Sequence, residues 1–347
     1  MNVHGLIKAT SSSFWGLHVK DPTKVNATKV GYTSWNMCLP TIRTIAPKPM
    51  MINQKKKLPK MVSGLDLGRM VNDGLVFRQN VYIRSYEVGP DQKTSIDTIM
   101  NHLQESILNH LKKIGVLQDG FGSTPEMCKK KLIWVMAKMQ VVVDRFPMWG
   151  DVVQIDAWKA ASGKNGMCCN MMFCDPETRE ILIKASSILV MMNKETRKLS
   201  KFPYEVQAEL EPYFLNTPLL VKQDTKKWPK QDHSTVDYVS NGLTPRWSDL
   251  DINQHVNNVK YIGWILESVP ETIMENYELA SMTLEYCREC RKNSVLQSRT
   301  SVIEIDNGNI ANRDHIDCQH LLQLEIGGDN GEIMKGWTKW RSKKLGH

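Results

Sequence analysis

Apolar positions along this chain change period twice, in the same order in each half. Ile96, Ile99, Met100, Leu103, Ile107, Leu111 and Ile114 recur at three- and four-residue spacing, the mark of one helix face. Thr94-Ser95-Ile96-Asp97 supplies a start with a capping-box-like pattern, and Gly115 a stop. The pattern then shortens to strand-like runs at Leu132–Val143, Asp151–Trp158, Gly166–Cys174 and Glu180–Met192. Asn165-Gly166 and Asp175-Pro176 punctuate them as turns. The expectation is one helix followed by an antiparallel set of strands, with order beginning near 62–80.

The same succession returns 162 residues later. Arg246-Trp247-Ser248-Asp249 matches Arg84-Ser85-Tyr86-Glu87 at that offset, and a second helix is expected to begin near Asn257. Its apolar stripe is Val259, Ile262, Ile265, Leu266 and Val269. Strand-like runs follow at Ser281–Arg288, Val295–Ile305, His315–Ile326 and Glu332–Arg341. Glu332-Ile333-Met334-Lys335 echoes Glu180-Ile181-Leu182-Ile183-Lys184. Residues 204–240, with Pro212, Pro218, Pro229 and several Lys, read as a linker. The predicted architecture is α+β: two units, 62–203 and 241–343, each a central helix wrapped by an antiparallel sheet.

Charge changes this picture only at one end. The net charge is +8 over 347 residues. Residues 1–60 hold ten Lys/Arg and a single acid, Asp21, for +9. The remainder holds 35 Lys/Arg against 36 Asp/Glu, so the folded part is near neutral and a nucleic-acid partner is not indicated. Arm 1–61, with Ser11-Ser12-Ser13, Lys55-Lys56-Lys57 and almost no acid, reads as an organelle transit region. No stretch approaches the roughly 18 apolar residues of a membrane span, so the mature form is expected to be soluble. Eight scattered cysteines point to reduced thiols rather than a disulfide framework.

The candidate chemistry lies just ahead of the second helix. Asp251, Asn253 and His255 stand at alternate positions, which in an extended segment puts all three on one face. A carboxylate, an amide and an imidazole beside a helix start can bind water, move a proton and stabilise an anion. At the repeat offset the first unit has Gly89, Asp91 and Lys93 instead. One unit is therefore expected to carry chemistry and the other to shape a substrate cavity.

At these residues the chain resembles the plant acyl-acyl-carrier-protein thioesterases of the B class, which act mainly on saturated chains. The resemblance runs from about Gly64 to Lys343. It rests on Asn80-Val81-Tyr82-Ile83-Arg84-Ser85-Tyr86-Glu87, on Gly120 through Cys128, on Asp249 through Lys260, and on Leu284 through Leu296. It implies a tandem hotdog fold, hydrolysis of fatty acyl-ACP to free fatty acid in the plastid stroma, and no metal or organic cofactor. The implied partner is acyl carrier protein bearing a saturated acyl chain; a homodimer is left open. The family's catalytic group falls on Asp251, Asn253, His255 and Glu289, with Cys290 as a rival nucleophile. Positions that influence chain length fall on Met167, Cys169 and Lys201. The chain departs from the family where Cys168, Cys169, Cys174 and Cys287 stand in place of arginines, losing bidentate cations. This motivates a second reading, a catalytically impaired acyl- or carrier-binding protein. A hotdog dehydratase or acyl-CoA thioesterase is a third.

Two mechanisms follow. In one, Glu289 activates a water with help from His255, Asp251 orients the imidazole or the water, Asn253 positions polar groups, and N–H groups at the Asn257 helix start hold the oxyanion. In the other, Cys290 attacks directly, assisted by His255 and Asn253. Strand alternation places Cys290 with Met282 and Leu284 on the buried side, and Glu289 with Thr283 and Glu285 on the other. Cys287 and Cys290 formally make half a zinc site without a second half. Lys129-Lys130-Lys131 is either a solvated face or an attraction for an acidic carrier.

Overall fold

Helix α1 (Ile96–Lys113) forms where the apolar stripe predicts it. The Ser95 hydroxyl accepts the Thr98 N–H at 3.2 Å, Asp97 sits in the first turn, and His110, Lys112 and Lys113 close the last. The structure, a computed structural model, describes residues 68–118, 122–162, 166–221, 238–303, 314–326 and 331–343. The basic arm, Gly120-Phe121 and residues 222–237 of the expected linker lie outside the described residues.

In the first half the strands are β1 (Arg69–Val71), β2 (Val76–Tyr82), β3 (Leu132–Val143), β4 (Val152–Ser162), β5 (Gly166–Cys174), β6 (Ile181–Asn193) and β7 (Leu199–Ser200). In the second they are β8 (Tyr238–Leu243), β9 (Tyr277–Tyr286), β10 (Leu296–Ile303), β11 (His315–Leu324) and β12 (Glu332–Ser342). All pair antiparallel in one sheet of order β1-β2-β4-β5-β6-β3-β9-β12-β11-β10-β8, with β7 beside β6. Read outward from the middle, β3-β6-β5-β4-β2 and β9-β12-β11-β10-β8 are the same motif twice. The repeat seen in sequence is thus a repeat of topology.

The two motifs join edge to edge. Strand β3 pairs with β9 from Lys138 opposite Glu285 to Val142 opposite Ser281. Lys138 and Glu285 also form an ion pair across this seam at 3.2 Å. Beside it, Glu278 accepts from Lys93 at 2.6 Å and from Arg341 Nε at 2.7 Å. Arg341 further donates to the carbonyls of Val143 and Asp144, both at 2.9 Å. Closing the seam leaves no exposed edge between the halves and lets one apolar core run through both. Ile99, Leu103, Ile155 and Phe173 belong to the same buried cluster as Ile262, Ile265, Leu284 and Ile333.

Three local features differ from the sequence expectation. The second helix is broken into α4 (Lys260–Leu266) and α5 (Glu271–Asn276), because Pro270 cannot continue a helix. It also starts at Lys260, since Asn257 Oδ1 takes the Val259 N–H at 2.9 Å and makes a turn first. Part of 204–240 is folded: α3 (Tyr204–Leu210) buries Val206 and Leu210 in a second core with Leu111, Met127 and Met191. Residues 214–221 then run over the outer face of β4 and β5, where Leu215 N–H donates to Lys159 O at 2.8 Å and Leu220 N–H to Asn170 Oδ1 at 2.9 Å. Its prolines and charges masked the one-turn spacing of Val206 and Leu210. Helix α2 (Pro125–Lys129) and the edge strands β1 and β8 were not distinguished in the sequence.

Candidate active site

The Asp251–His255 segment is a closed turn, not an extended strand. Leu250 and Val256 form an isolated antiparallel bridge, Asp251 N–H donates to His255 O at 2.7 Å, and Gln254 N–H to Asp251 O at 2.9 Å. Gln254 takes a left-handed φ of 61° to complete it. The Asp251 carboxylate stabilises the interior of this turn: its Oδ1 accepts the N–H of Asn253 at 2.8 Å and of His255 at 3.1 Å. The short polar side chain satisfies two amides that the turn geometry leaves without strand partners. Alternation survives the change of backbone. Ile252 and Gln254 are exposed, while Asp251, Asn253 and His255 all line the same cavity.

The first unit builds the same turn from different side chains. Val88 bridges Thr94, Gly89 N–H donates to Lys93 O at 2.9 Å, and Gln92 adopts φ 62°. Each contact lies 162 positions before its counterpart. Both turns follow a three-residue 3-10 helix closed by an acid, with Glu87 accepting Arg84 N–H and Asp249 accepting Arg246 N–H, each at 2.7 Å. In the first copy Lys93 occupies the histidine position and is bound to Glu278 at the seam. The repeated turn thus serves assembly in one unit and faces a cavity in the other.

That cavity has a volume of about 830 Å³, within the range of roughly 300–1,000 Å³ usual for small-ligand sites. Its floor comes from the first unit: Met100 and Leu111 on α1, Met136 on β3, Met167 on β5 and Leu189 on β6. Its polar end comes from the second: Asp251, Asn253, His255 and Glu289. Glu289 reaches it because β9 has already ended. The N–H groups of Cys287 and Arg288 both donate to Ile333 O, at 2.9 and 3.1 Å, so regular alternation lapses there. Beyond this irregularity Glu289 lines the cavity, whereas Cys290 is 1% exposed, is absent from the cavity wall and belongs to the apolar core.

The acyl-ACP thioesterase N-terminal domain model matches residues 74–210, and the acyl-ACP thioesterase C-terminal domain model matches residues 232–341. The chain belongs to the acyl-ACP thioesterase family. Among its relatives, the chloroplastic palmitoyl-acyl carrier protein thioesterase of Arabidopsis thaliana is 57% identical over 314 residues, 89% of this chain and 76% of that protein. The chloroplastic dodecanoyl-[acyl-carrier-protein] hydrolase of Umbellularia californica is 45% identical over 329 residues, 92% of this chain and 84% of that protein. The solved 12:0-ACP thioesterase from Umbellularia californica is 48% identical, with a TM-score of 0.72 over 78% of this chain and 95% of its own. A putative oleoyl thioesterase from Lactobacillus plantarum, 19% identical, shares the fold at a TM-score of 0.62 over 78% of this chain and 97% of its own. The tandem hotdog architecture is therefore that of the family.

For an acyl-ACP thioesterase the nucleophile is the first question. Burial pushes the Cys290 thiol up to about 11, which keeps it protonated at neutral pH. Its backbone N–H donates to the Tyr261 hydroxyl at 3.1 Å. Burial also raises the Tyr261 hydroxyl well above the ordinary phenol range. At the helix start, the N–H groups of Asn257, Val259 and Lys260 are taken by Asp249 O, Asn257 Oδ1 and Asn257 O. That of Asn258, which lines the cavity, has no such partner among the described residues.

Of the three expected chain-length positions, Met167 lines the cavity. Cys169 is buried in the second core outside the cavity wall, and Lys201 is exposed outside it. Cys168 and Cys174 are also buried away from the wall, and Cys287 is exposed at its mouth. Three of these four cysteines thus lie off the cavity wall. Cys169 adjoins Lys159, whose fully buried ammonium has no partner among the described residues and is pulled down to about 7 by desolvation. The basic run is largely neutralised: Lys129 pairs with Glu126 at 2.5 Å, Lys130 with Glu205 at 3.1 Å and Lys131 with Glu195 at 2.6 Å. Among the described residues no cluster of His, Cys, Asp and Glu is arranged to hold a metal. Sequence reasoning missed Arg197, which lines the cavity from the turn between β6 and β7 and is ion-paired with Glu289. Its only local signal was a Thr-Arg-Lys in a turn.

Proposed function

We propose that this chain hydrolyses the thioester of a saturated fatty acyl group carried on acyl carrier protein, in the plastid stroma, releasing free fatty acid and the carrier thiol. One observation carries the reading: an apolar floor from one unit ends at four polar side chains from the other. The acyl tail lies along the methionines and leucines of the floor, which brings its thioester to Glu289, His255, Asn253 and Asp251. A water between Glu289 and His255 attacks the carbonyl carbon and gives its proton to that pair. The tetrahedral intermediate collapses with loss of the thiolate, which takes the proton back from the imidazole. Asn253, with the Asn258 N–H, supplies donors for the oxyanion. Asp251 keeps Asn253 and His255 in place through the turn.

Burial and protonation of Cys290 favour this water route over direct attack by sulfur. Exposed Arg288 and Arg291 at the cavity mouth give an acidic carrier a complementary surface. The test is incubation of the purified chain with a ladder of acyl-ACPs and measurement of released fatty acid. Glu289→Ala is expected to lose about 10²–10⁴-fold in kcat. Full hydrolytic rate in that variant, or binding of every acyl-ACP without turnover by the parent chain, overturns the proposal.

A further inference from the structure

We infer that Arg197, contributed by the first unit, is a positioning residue of the hydrolytic centre, holding the Glu289 carboxylate of the second unit in the cavity. The inference rests on reading Glu289 as the group that activates water. Its basis is the ion pair of Arg197 with Glu289 inside the cavity, made from a turn of the same form as Asp175–Arg179. Asn193 Oδ1 accepts the N–H groups of Glu195 at 3.0 Å and Thr196 at 2.8 Å, and Arg197 N–H donates to Asn193 O at 2.9 Å. Arg197 itself takes a left-handed φ of 56°, which costs a non-glycine residue energy and redirects its side chain. Lys194, Glu195, Thr196 and Lys198 are exposed and off the cavity wall, whereas Arg197 is half-buried and lines the cavity.

The guanidinium Nη2 donates to Glu289 Oε1 across 92 positions of sequence. Glu289 needs such a partner. It lies past the last residue of β9, and although Arg288 N–H and Cys290 N–H hold the backbone on either side of it, a half-buried glutamate side chain without a partner samples several rotamers. A planar, always-charged guanidinium restrains a carboxylate better than a flexible ammonium does. The other arm argues against a purely stabilising role. Arg197 Nη1 is buried with no partner among the described residues, and an unpaired charged donor is costly inside a protein. An arginine kept only for stability would have both arms satisfied. The one gain visible here is control of Glu289, so the division of labour between the units is incomplete: the first, cavity-shaping unit also sets the geometry of the water-activating group.

The experiment compares Arg197→Ala, Arg197→Lys, Glu289→Gln and the Arg197→Ala/Glu289→Gln double variant on acyl-ACP. Arg197→Ala is expected to lower kcat by about 10–100-fold with KM changed less than about threefold, as misplacement of a reacting group does. Arg197→Lys recovers only part of the loss, and millimolar guanidinium added to Arg197→Ala restores turnover but leaves Glu289→Gln unrescued. In the Glu289→Gln background, removing Arg197 costs nothing further. Should Arg197→Ala fold poorly, Arg197→Gln with the same guanidinium rescue supplies the readout. Parental kcat in Arg197→Ala beside an inactive Glu289→Gln overturns the positioning role and leaves the water mechanism standing. Full multiplicative loss in the double variant also overturns it. Full activity in Glu289→Gln overturns the mechanism on which the inference rests.

Discussion

Removing the Asp251 carboxylate tests whether this acid works on the substrate or on its own loop. Asp251 Oδ1 accepts two backbone N–H groups, from Asn253 at 2.8 Å and His255 at 3.1 Å. Hydrogen bonds to a charged acceptor contribute about 1.5–3 kcal/mol each, but a half-buried turn lets water replace part of that. A loss of about 2 kcal/mol from the closed form of the turn is the working figure. It corresponds to roughly a thirtyfold shift toward open loop conformers in which Asn253 and His255 no longer face the cavity together. A catalytic group displaced by about 1 Å costs on the order of 10²-fold in rate. Asp251→Ala is therefore expected to lower kcat on acyl-ACP by about 10²-fold, with KM little changed because the apolar floor belongs to the other unit. Asp251→Asn keeps an acceptor oxygen in the same place and is expected to stay within about tenfold of the parent. Amide hydrogen exchange across 251–257 should accelerate in the alanine variant and not in the asparagine variant. Equal, severe losses of kcat in both, with unchanged exchange, would show that the charge acts directly on the reaction and would refute the loop argument.

Three further outcomes follow from the structure. Cys290→Ala should keep kcat within about threefold and trap no acyl-enzyme, at a stability cost of about 1–2 kcal/mol for a small core cavity; a stable acyl adduct on Cys290 in the parent chain would reverse this. Although burial opposes it, donation from Lys93 and Arg341 holds the Glu278 carboxyl below its ordinary 4.5. Its contribution is therefore complete above the unfolded value and is lost as pH falls through the folded one. Denaturant midpoints of Glu278→Gln and the parent should differ at pH 7 and converge toward pH 3; a constant difference contradicts the assignment. Lys159, fully buried and pulled down to about 7 by desolvation, binds a proton less readily folded than unfolded. Parent stability should thus rise from pH 7 toward 10. Lys159→Met should be about 1–3 kcal/mol more stable at pH 7 and lack that rise; equal pH dependence in both chains refutes it.

Much of the fold was legible because its signals are local. The α1 stripe, the Ser95 cap and the runs that became β3, β5, β6, β11 and β12 all depend on spacing within one element. The offset of 162 residues located the cavity-facing turn by contrast, since Gly89, Asp91 and Lys93 fill the same hydrogen-bonded frame as Asp251, Asn253 and His255. What alternation could not reveal was how that frame is made. A strand and a closed turn both send every second side chain one way here, and the bonds across the turn, Asp251 N–H to His255 O and Gln254 N–H to Asp251 O, with the left-handed Gln254, distinguish them.

The rest was decided by tertiary closure. The β3–β9 seam joins residues more than a hundred positions apart, and no periodicity marks which edges will meet. The same closure gives Glu289 its partner Arg197, puts Cys290 in the core, and buries Val206 and Leu210 in a stretch whose composition suggested a linker. By itself the chain determined its elements, their duplication and the place of the polar turn that faces the cavity, because neighbouring residues write those patterns. Which groups share one cavity and which are sealed away depended on the two units sharing a core, because burial and charge pairing belong to surfaces brought together only in the folded chain.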